Sequence, residues 1–403
     1  MSKAISDSEA RNQGPEIVRR TAWPQSSSRP VSTPLQMSVV YASDSPDALD
    51  AQYDGTAPGY AYAREGHPNA DVLAQKIDGM EAVQGGLITG SGMAALSAVM
   101  LGLLQSGDHV VAGDQLYGRS MRILTQDAPR LGIKATLADA TDAKAIEAAL
   151  RPDTRMVLVE VVSNPTLRLA DIDGIAALTR ERGILFVVDN TFTTPRAFRP
   201  FEHGADIVLH SVTKLLAGHS DVTLGYVAAQ EARLQDMIRE AAATWGLTPS
   251  PFDCWLAERG LHSFNLRYDR AEENAAELAD LLAGLPGVRR VIYPGRPDHP
   301  DFQRARSLLK GRSGNMVSFE IEGGREAANR LTRGAPDIAF APTLGDIGTT
   351  LSHPASSSHR ALSADMQRAI GISEGFFRIS VGVEEIDGLR RDFIQAIDAA
   401  VQG

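Results

Sequence analysis

Between residues 85 and 229 the chain keeps returning to one device: a short, predominantly apolar run, a turn, and then a longer stretch with helical spacing. The runs fall at 85–89, 109–113, 134–138, 156–162, 184–188, 207–210 and 225–229, and they read as continuous rather than alternating. Such strands need cover on both faces, because a half-solvated strand shows polar residues at every second position. The stretches between them, at 93–104, 121–131, 143–150 and 172–182, are expected to be helices, as is 71–80 just ahead. Strand–helix alternation over this length specifies a mostly parallel sheet inside an α/β domain.

The pattern changes near Trp255. A long helix is expected at 265–282, followed by the breaker Gly284-Leu-Pro-Gly287. Strands separated by helices follow at 288–293, 315–321 and 377–381, which reads as a smaller α+β domain. The first sixty residues are rich in Ser, Pro and Asp, and Arg29-Pro-Val-Ser-Thr-Pro34 cannot be helical throughout. The expected division is an N-terminal arm at 1–60, an α/β domain at 61–258 and a C-terminal domain at 259–403.

Charge and cysteine content exclude several functions. Acids outnumber bases 50 to 40, and no basic block is longer than a pair (Arg19–Arg20, Arg289–Arg290, Arg390–Arg391). Neither nucleic acid nor an anionic membrane is an expected partner. The longest apolar stretch, 93–104, falls short of the roughly 20 residues that span a bilayer. The polar N-terminus is unlike a secretory leader, so a soluble, cytoplasmic protein is expected. A lone cysteine, Cys254, excludes an internal disulfide. His203, His210 and His219 are spaced like no common metal-ligand set, and no metal is expected.

In open α/β sheets, ligands bind beyond the carboxyl ends of the strands. Asp189 directly follows the run 184–188. Lys214 stands 25 residues further on, just past the run 207–210, so both can face one crevice. Gly90-Ser-Gly-Met93 lies between a strand and a helix, where unpaired N–H groups and the helix dipole suit a phosphate. The same segment, with Gly90, Gly92, Ala95 and Asp114, also imitates a dinucleotide fingerprint, which would make the chain a nicotinamide dehydrogenase but leaves Lys214, Asp189 and Arg378 unexplained. Tyr117 brings an aromatic ring to the same edge, and Ser211 and Thr213 bring hydroxyls. Pyridoxal phosphate requires an amine, a carboxylate for its ring nitrogen, a phosphate cradle and a stacking surface, and all four converge here.

The chain resembles the Cys/Met-metabolism (trans-sulfuration) family of pyridoxal-phosphate enzymes. The segment His210-Ser-Val-Thr-Lys-Leu-Leu-Ala-Gly-His-Ser-Asp221 is similar to the family's lysine signature. Tyr60-Ala-Tyr-Ala-Arg64, Ser91-Gly-Met-Ala-Ala95, Asp114-Gln-Leu-Tyr-Gly118, Ser163-Asn-Pro-Thr166, Val188-Asp-Asn-Thr-Phe192, His353-Pro-Ala-Ser356 and Arg378-Ile-Ser-Val-Gly382 follow the family order. The resemblance implies the aminotransferase-like fold type I and a carbon–sulfur lyase, or alternatively a γ-replacement synthase using an O-acylhomoserine. It implies Lys214 as the Schiff-base lysine, Asp189 on the ring nitrogen, and Tyr117 stacked on the ring. Gly92, Met93, Ser211 and Thr213 would hold the phosphate, with Tyr62 and Arg64 reaching in from a neighbouring subunit. Asn164, Thr343 and Arg378 would take the substrate. A homo-oligomer follows, a dimer with shared sites and a tetramer beyond it.

Some positions depart from the family pattern. His67-Pro-Asn69 stands where Asn-Pro-Thr is usual, and Leu215 replaces an aromatic. Arg119 follows the stacking tyrosine where small residues are common. Gly348 falls where cystathionine-handling members tend to have Glu. A cation gained at Arg119 and an anion lost at Gly348 favour substrates with a neutral or acidic distal group.

Overall fold

In the computed structural model, residues 24, 26–360 and 363–402 are described. The chain divides into two units, 1–34 and 35–403. In the first, the described residues form neither helix nor strand; residues 1–23 and 25, part of the expected arm, lie outside the described residues.

The second unit contains a seven-stranded and a five-stranded sheet. The strands of the first are β1 (Leu87–Thr89), β2 (His109–Gly113), β3 (Lys134–Ala138), β4 (Thr154–Glu160), β5 (Leu185–Asp189), β6 (Ile207–His210) and β7 (Gly225–Ala229). Their order across the sheet is β1-β7-β6-β5-β4-β2-β3. From β6 to β3 every pairing is parallel, and only β7 runs against its neighbours β6 and β1. Two reversals return β1 to the direction of β6. The carboxyl ends of β1, β2, β4, β5 and β6 therefore share one edge.

Both faces are covered, as continuous apolar strands require. One face packs Ala95, Leu96, Val99 and Ile238 against Val110, Leu158 and Ile207. The other packs Leu73, Ile77 and Ile175 against Val157, Phe186, Val188 and Val208. The second sheet runs β10-β11-β12-β9-β8, with β8 at Val288–Ile292, β9 at Met316–Ile321, β10 at Ala339–Phe340, β11 at Thr350–Ser352 and β12 at Phe376–Ser380. Helices Phe264–Ala283 and Ile386–Val401 cover it around Leu278, Phe319, Phe377 and Phe393.

Local chemistry explains where elements depart from expectation. Helix α1 (Pro46–Tyr53) forms inside the segment expected to be irregular; Ser45 caps it, and none of its residues is buried, so it leaves no amphipathic trace. Helix α2 (Pro68–Glu81) begins before the expected 71 because the His67 ring accepts the Ala70 N–H and Pro68 suits a first turn. Helix α3 (Gly92–Leu103) follows β1. The expected helix at 121–131 is instead an α-turn, α4 (Gly118–Arg122), then a π-helical turn and a 3-10 turn. Pro129 lacks the N–H that would continue it. Helices Ala232–Thr244 and Pro251–Leu261 were not among the expected elements. Among the described residues, no helix is long and apolar enough to cross a membrane.

Candidate active site

A cavity of about 220 Å³ opens at the shared carboxyl edge of the first sheet. Gly92, Met93, Tyr117, Asn164, Asp189, Ser211, Thr213, Lys214, Thr343 and Arg378 all line it. The strand order brings the segments from Gly92 to Lys214 to one edge of the first sheet, while Thr343, between β10 and β11, and Arg378, on β12, come from the second.

The N-terminus of α3 forms one wall. Ser91 caps it by accepting the Ala94 N–H at 3.0 Å, leaving the first N–H groups of the helix directed at its open end. A Cβ at Gly92 would stand 2.8 Å from the Ser211 Cβ and 3.0 Å from its Cα. Glycine is needed there because two anion-facing segments touch.

Asp189 ends β5 and is set before any ligand arrives. Its Oδ1 accepts the Thr191 hydroxyl at 2.5 Å and the Thr191 N–H at 3.0 Å. The Thr191 oxygen in turn accepts the Ser211 N–H at 2.9 Å, tying the carboxylate to the next loop. Burial raises the pKa of Asp189, while the Thr191 bonds and His210 oppose that rise. Behind it, the His210 ring lies 2.5 Å from the Glu81 carboxylate, both side chains fully buried.

Lys214 sits in the turn after β6, its N–H donated to Ser211 O at 3.1 Å. Its Nζ reaches the Thr343 hydroxyl at 3.4 Å. Desolvation, and then the charge of Arg378, lower the ammonium pKa. Gly345 fits against this turn only as glycine: its φ is +78°, and a Cβ would stand 2.4 Å from Leu215 N. Thr213 differs from expectation in one respect. Its hydroxyl donates to Leu224 O at 3.1 Å and accepts the Leu224 N–H at 2.9 Å, so its one proton is already engaged within the chain.

Arg378, on β12, is 5% exposed. It donates to Asn164 Oδ1 and to Thr343 O, each at 2.7 Å. Its Nε is buried without a partner. Burial pushes its pKa down to about 10. Tyr117 precedes α4 with its ring exposed at the cavity, and its N–H donates to Glu160 Oε1 at 2.6 Å.

Three expected residues stay outside this lining. Tyr62 and Arg64 are exposed; the guanidinium lies 5.0 Å over the Tyr62 ring and 3.3 Å from Glu65. Arg119, on α4, is exposed. Asp114 is also apart from this lining. Conversely, Glu160, Thr191 and Phe192 line the cavity although no role was expected for them. Thr191 and Phe192 lie within the motif Val188-Asp-Asn-Thr-Phe192; Glu160 lies inside the apolar run 156–162, and only the β4–β5 register reveals its place. His353 is buried and bonds Ser356 through Nδ1 and Glu374 O through Nε2; His359 is buried and bonds Ser358 through Nδ1; Cys254 is fully buried. Among the described residues, no group of three His, Cys, Asp or Glu is placed to hold a metal ion.

The donor set suits pyridoxal 5'-phosphate. An amine, an anchored carboxylate, an aromatic face and a helix N-terminus meet around one cavity, and the unpartnered Nε of buried Arg378 awaits an anion. Comparisons with known proteins agree. The profile of the Cys/Met metabolism PLP-dependent enzymes matches residues 16–398. The chain is 38% identical to cystathionine β-lyase of Bacillus subtilis, over 91% of each chain. It is also 38% identical to L-methionine γ-lyase of Pseudomonas putida, over 87% of this chain and 88% of that one. The solved structure of cystathionine γ-synthase from Xanthomonas oryzae pv. oryzae with cystathionine superposes with a TM-score of 0.87 at 36% identity, covering 92% of this chain and 93% of the other.

Proposed function

The chain belongs to the Cys/Met metabolism family of PLP-dependent enzymes, and from that premise we propose that it is a carbon–sulfur lyase. Its substrate is a cysteine- or homoserine-derived sulfur amino acid, cleaved by β- or γ-elimination. The observation that carries the reading is the pairing of a buried, incompletely engaged Arg378 with a desolvated Lys214 in one cavity.

Bound pyridoxal 5'-phosphate supplies an electron sink for negative charge at the substrate Cα. Lys214 would be its covalent anchor, Asp189 would serve its ring nitrogen and Tyr117 its ring. The N–H groups of Gly92 and Met93, with Ser211 and the Thr213 segment, hold its phosphate. Arg378 grips the substrate α-carboxylate, aided by Asn164 and Thr343, and so fixes the Cα–H direction. The Lys214 amine, made less basic by desolvation and by Arg378, takes the Cα proton and can return it further along the chain. Asp189 remains ionised to balance a protonated ring nitrogen.

Tyr62 and Arg64 complete the phosphate site of a neighbouring subunit, which makes the working form a homodimer with shared sites and, by further pairing, a homotetramer. The segments 1–60, 61–258 and 259–403 then serve as arm, cofactor domain and C-terminal domain. A cytoplasmic location accords with the single, buried Cys254.

The likeness to cystathionine γ-synthase favours a second reading, γ-replacement on an O-acylhomoserine. Release of pyruvate, 2-oxobutyrate, ammonia and sulfide is measured from cystathionine, methionine, homocysteine and O-acylhomoserines, with and without an added thiol. Elimination products without thiol are expected. Turnover of O-acylhomoserine only when a thiol is present would establish the second reading instead.

A further inference from the structure

Glu160 is a half-buried acid that the chemistry above does not use. It ends β4, and its Cα partner across the parallel ladder is Asp189 at the end of β5. Residues paired in this way point to the same face, so two carboxyl groups stand side by side in the cavity wall. One oxygen, Oε1, accepts the Tyr117 N–H at 2.6 Å. The other, Oε2, is buried with no partner. Arg378 lines the same cavity, yet its two Nη groups go to Asn164 and Thr343, and its Nε is likewise unpartnered. The one nearby guanidinium therefore forms no ion pair with Glu160.

Four titratable or charged groups share this wall with Glu160: Asp189 from β5, Arg378 from β12, Lys214 from the turn after β6 and Tyr117 ahead of α4. Two adjacent carboxylates in a dry wall cannot both hold a charge cheaply. The hydrogen bonds decide which gives way. Asp189 receives two donors from Thr191 and has His210 behind it. Glu160 receives one, and its second oxygen receives none.

We propose that Glu160 is held as a neutral carboxylic acid, a positioning residue that accepts the Tyr117 N–H at Oε1 and carries its proton on Oε2. Burial, and then the Asp189 charge, raise its pKa well above the usual range, which agrees with that assignment. Neutrality has two consequences. Asp189 keeps its charge, because no second anion presses a proton onto it. Arg378 keeps its charge for a carboxylate, because an ionised Glu160 would compete for the guanidinium. The second consequence rests on the reading of Arg378 given above; the protonation state does not.

The decisive measurement is the infrared difference spectrum between wild type and Glu160→Gln, taken at neutral pH on the cofactor-loaded enzyme and repeated after cofactor removal. A C=O stretch of a neutral carboxylic acid, lost in Glu160→Gln, is expected in both forms. A difference made up only of carboxylate stretches overturns the proposal, whatever the substrate proves to be. Kinetics adds a second test. Glu160→Gln, which keeps the size and a donor, should hold kcat/KM within about threefold at neutral pH and lack the alkaline rise in KM that appears in wild type as Glu160 ionises. Glu160→Ala, which removes the acceptor of the Tyr117 N–H and so loosens the segment that carries the ring, should lose about tenfold, the cost of about one hydrogen bond. Glu160→Gln that folds and binds cofactor but loses more than about a hundredfold would show that an ionised Glu160 is required.

Discussion

The inner wall of the cavity and its outer surroundings are built on different terms. On the wall, Asp189 and Lys214 project from a strand end and the turn after one, Arg378 projects from the middle of β12, and neighbouring segments hold each in place. Outside it, Tyr62, Arg64 and Arg119 are exposed, and Arg64 turns to its own neighbours Glu65 and Tyr62. Strand pairing aligns whatever sits at the ends of β2, β4, β5 and β6, so a single chain can preorganise a wall. Among the described residues, no hydrogen bond or ion pair draws Arg64 or Arg119 toward the cavity. On the proposed assembly, a second subunit gives Arg64 its anion.

Subunit mixing tests that contrast most severely. Lys214→Ala should show no turnover above background, since the wall then lacks both anchor and base. Arg64→Ala should also be severely impaired, although Arg64 lies outside the cavity. After exchange of subunits between the two inactive proteins, activity should return to about a quarter of wild type, because half the dimers are hybrid and each has one intact site. If demonstrated exchange restores nothing, Arg64 serves its own chain and the contrast between wall and surroundings fails.

A smaller effect is expected from loosening the wall itself. Thr191→Val removes the hydroxyl given to Asp189 and the acceptor of the Ser211 N–H together. Each buried group left unpaired costs about 1–3 kcal/mol. Asp189 would then have less to oppose the rise that burial imposes, and its pKa should move further up. The sign follows: the fraction of Asp189 ionised falls at a given pH, so the acid limb of kcat should shift to higher pH, with about a tenfold loss at neutral pH. An unmoved acid limb would mean that Asp189 is not set by Thr191.

The two sheets also divide what could be read without coordinates. Lys214, Asp189 and Gly92 were legible because each follows an apolar run at a strand end, and the sheet edge then makes them meet. Strand limits at 109–113, 207–210 and 225–229 coincide with those of the structure because every residue of these strands is buried, so the apolar run ends where the strand ends; those at 134–138 coincide as well, although this edge strand is only partly buried. Glu160 was not legible. Inside the apolar run 156–162 a glutamate reads as a single polar interruption of a strand, and only the lateral pairing of β4 with β5 turns it into Asp189's neighbour. Helix α1 was missed for the opposite reason, since it buries none of its residues and has no periodicity to read.

Arg119 supplies the smallest and sharpest comparison. Its place after Tyr117 made it a candidate for recognising a substrate's distal end, with Gly348 as its counterpart. The structure puts Arg119 on the exposed face of α4, apart from the residues that line the cavity. Gly348 likewise lies outside that lining; its N–H donates to Asp346 at 2.8 Å, and a Cβ there would stand 3.7 Å from Glu384 Oε1. Two carboxylates thus already neighbour the position where one was thought lost. An exposed guanidinium acts on a ligand through screened solvent, which limits it to small effects. Arg119→Ala should therefore change the ratio of kcat/KM for cystathionine over methionine by less than about fivefold, and that change should shrink as salt rises. A larger, salt-independent change would place the side chain inside the cavity when substrate is bound. Arg119 would then belong to the wall, and exposure in the unliganded chain would no longer separate residues that act within their own subunit from those that do not.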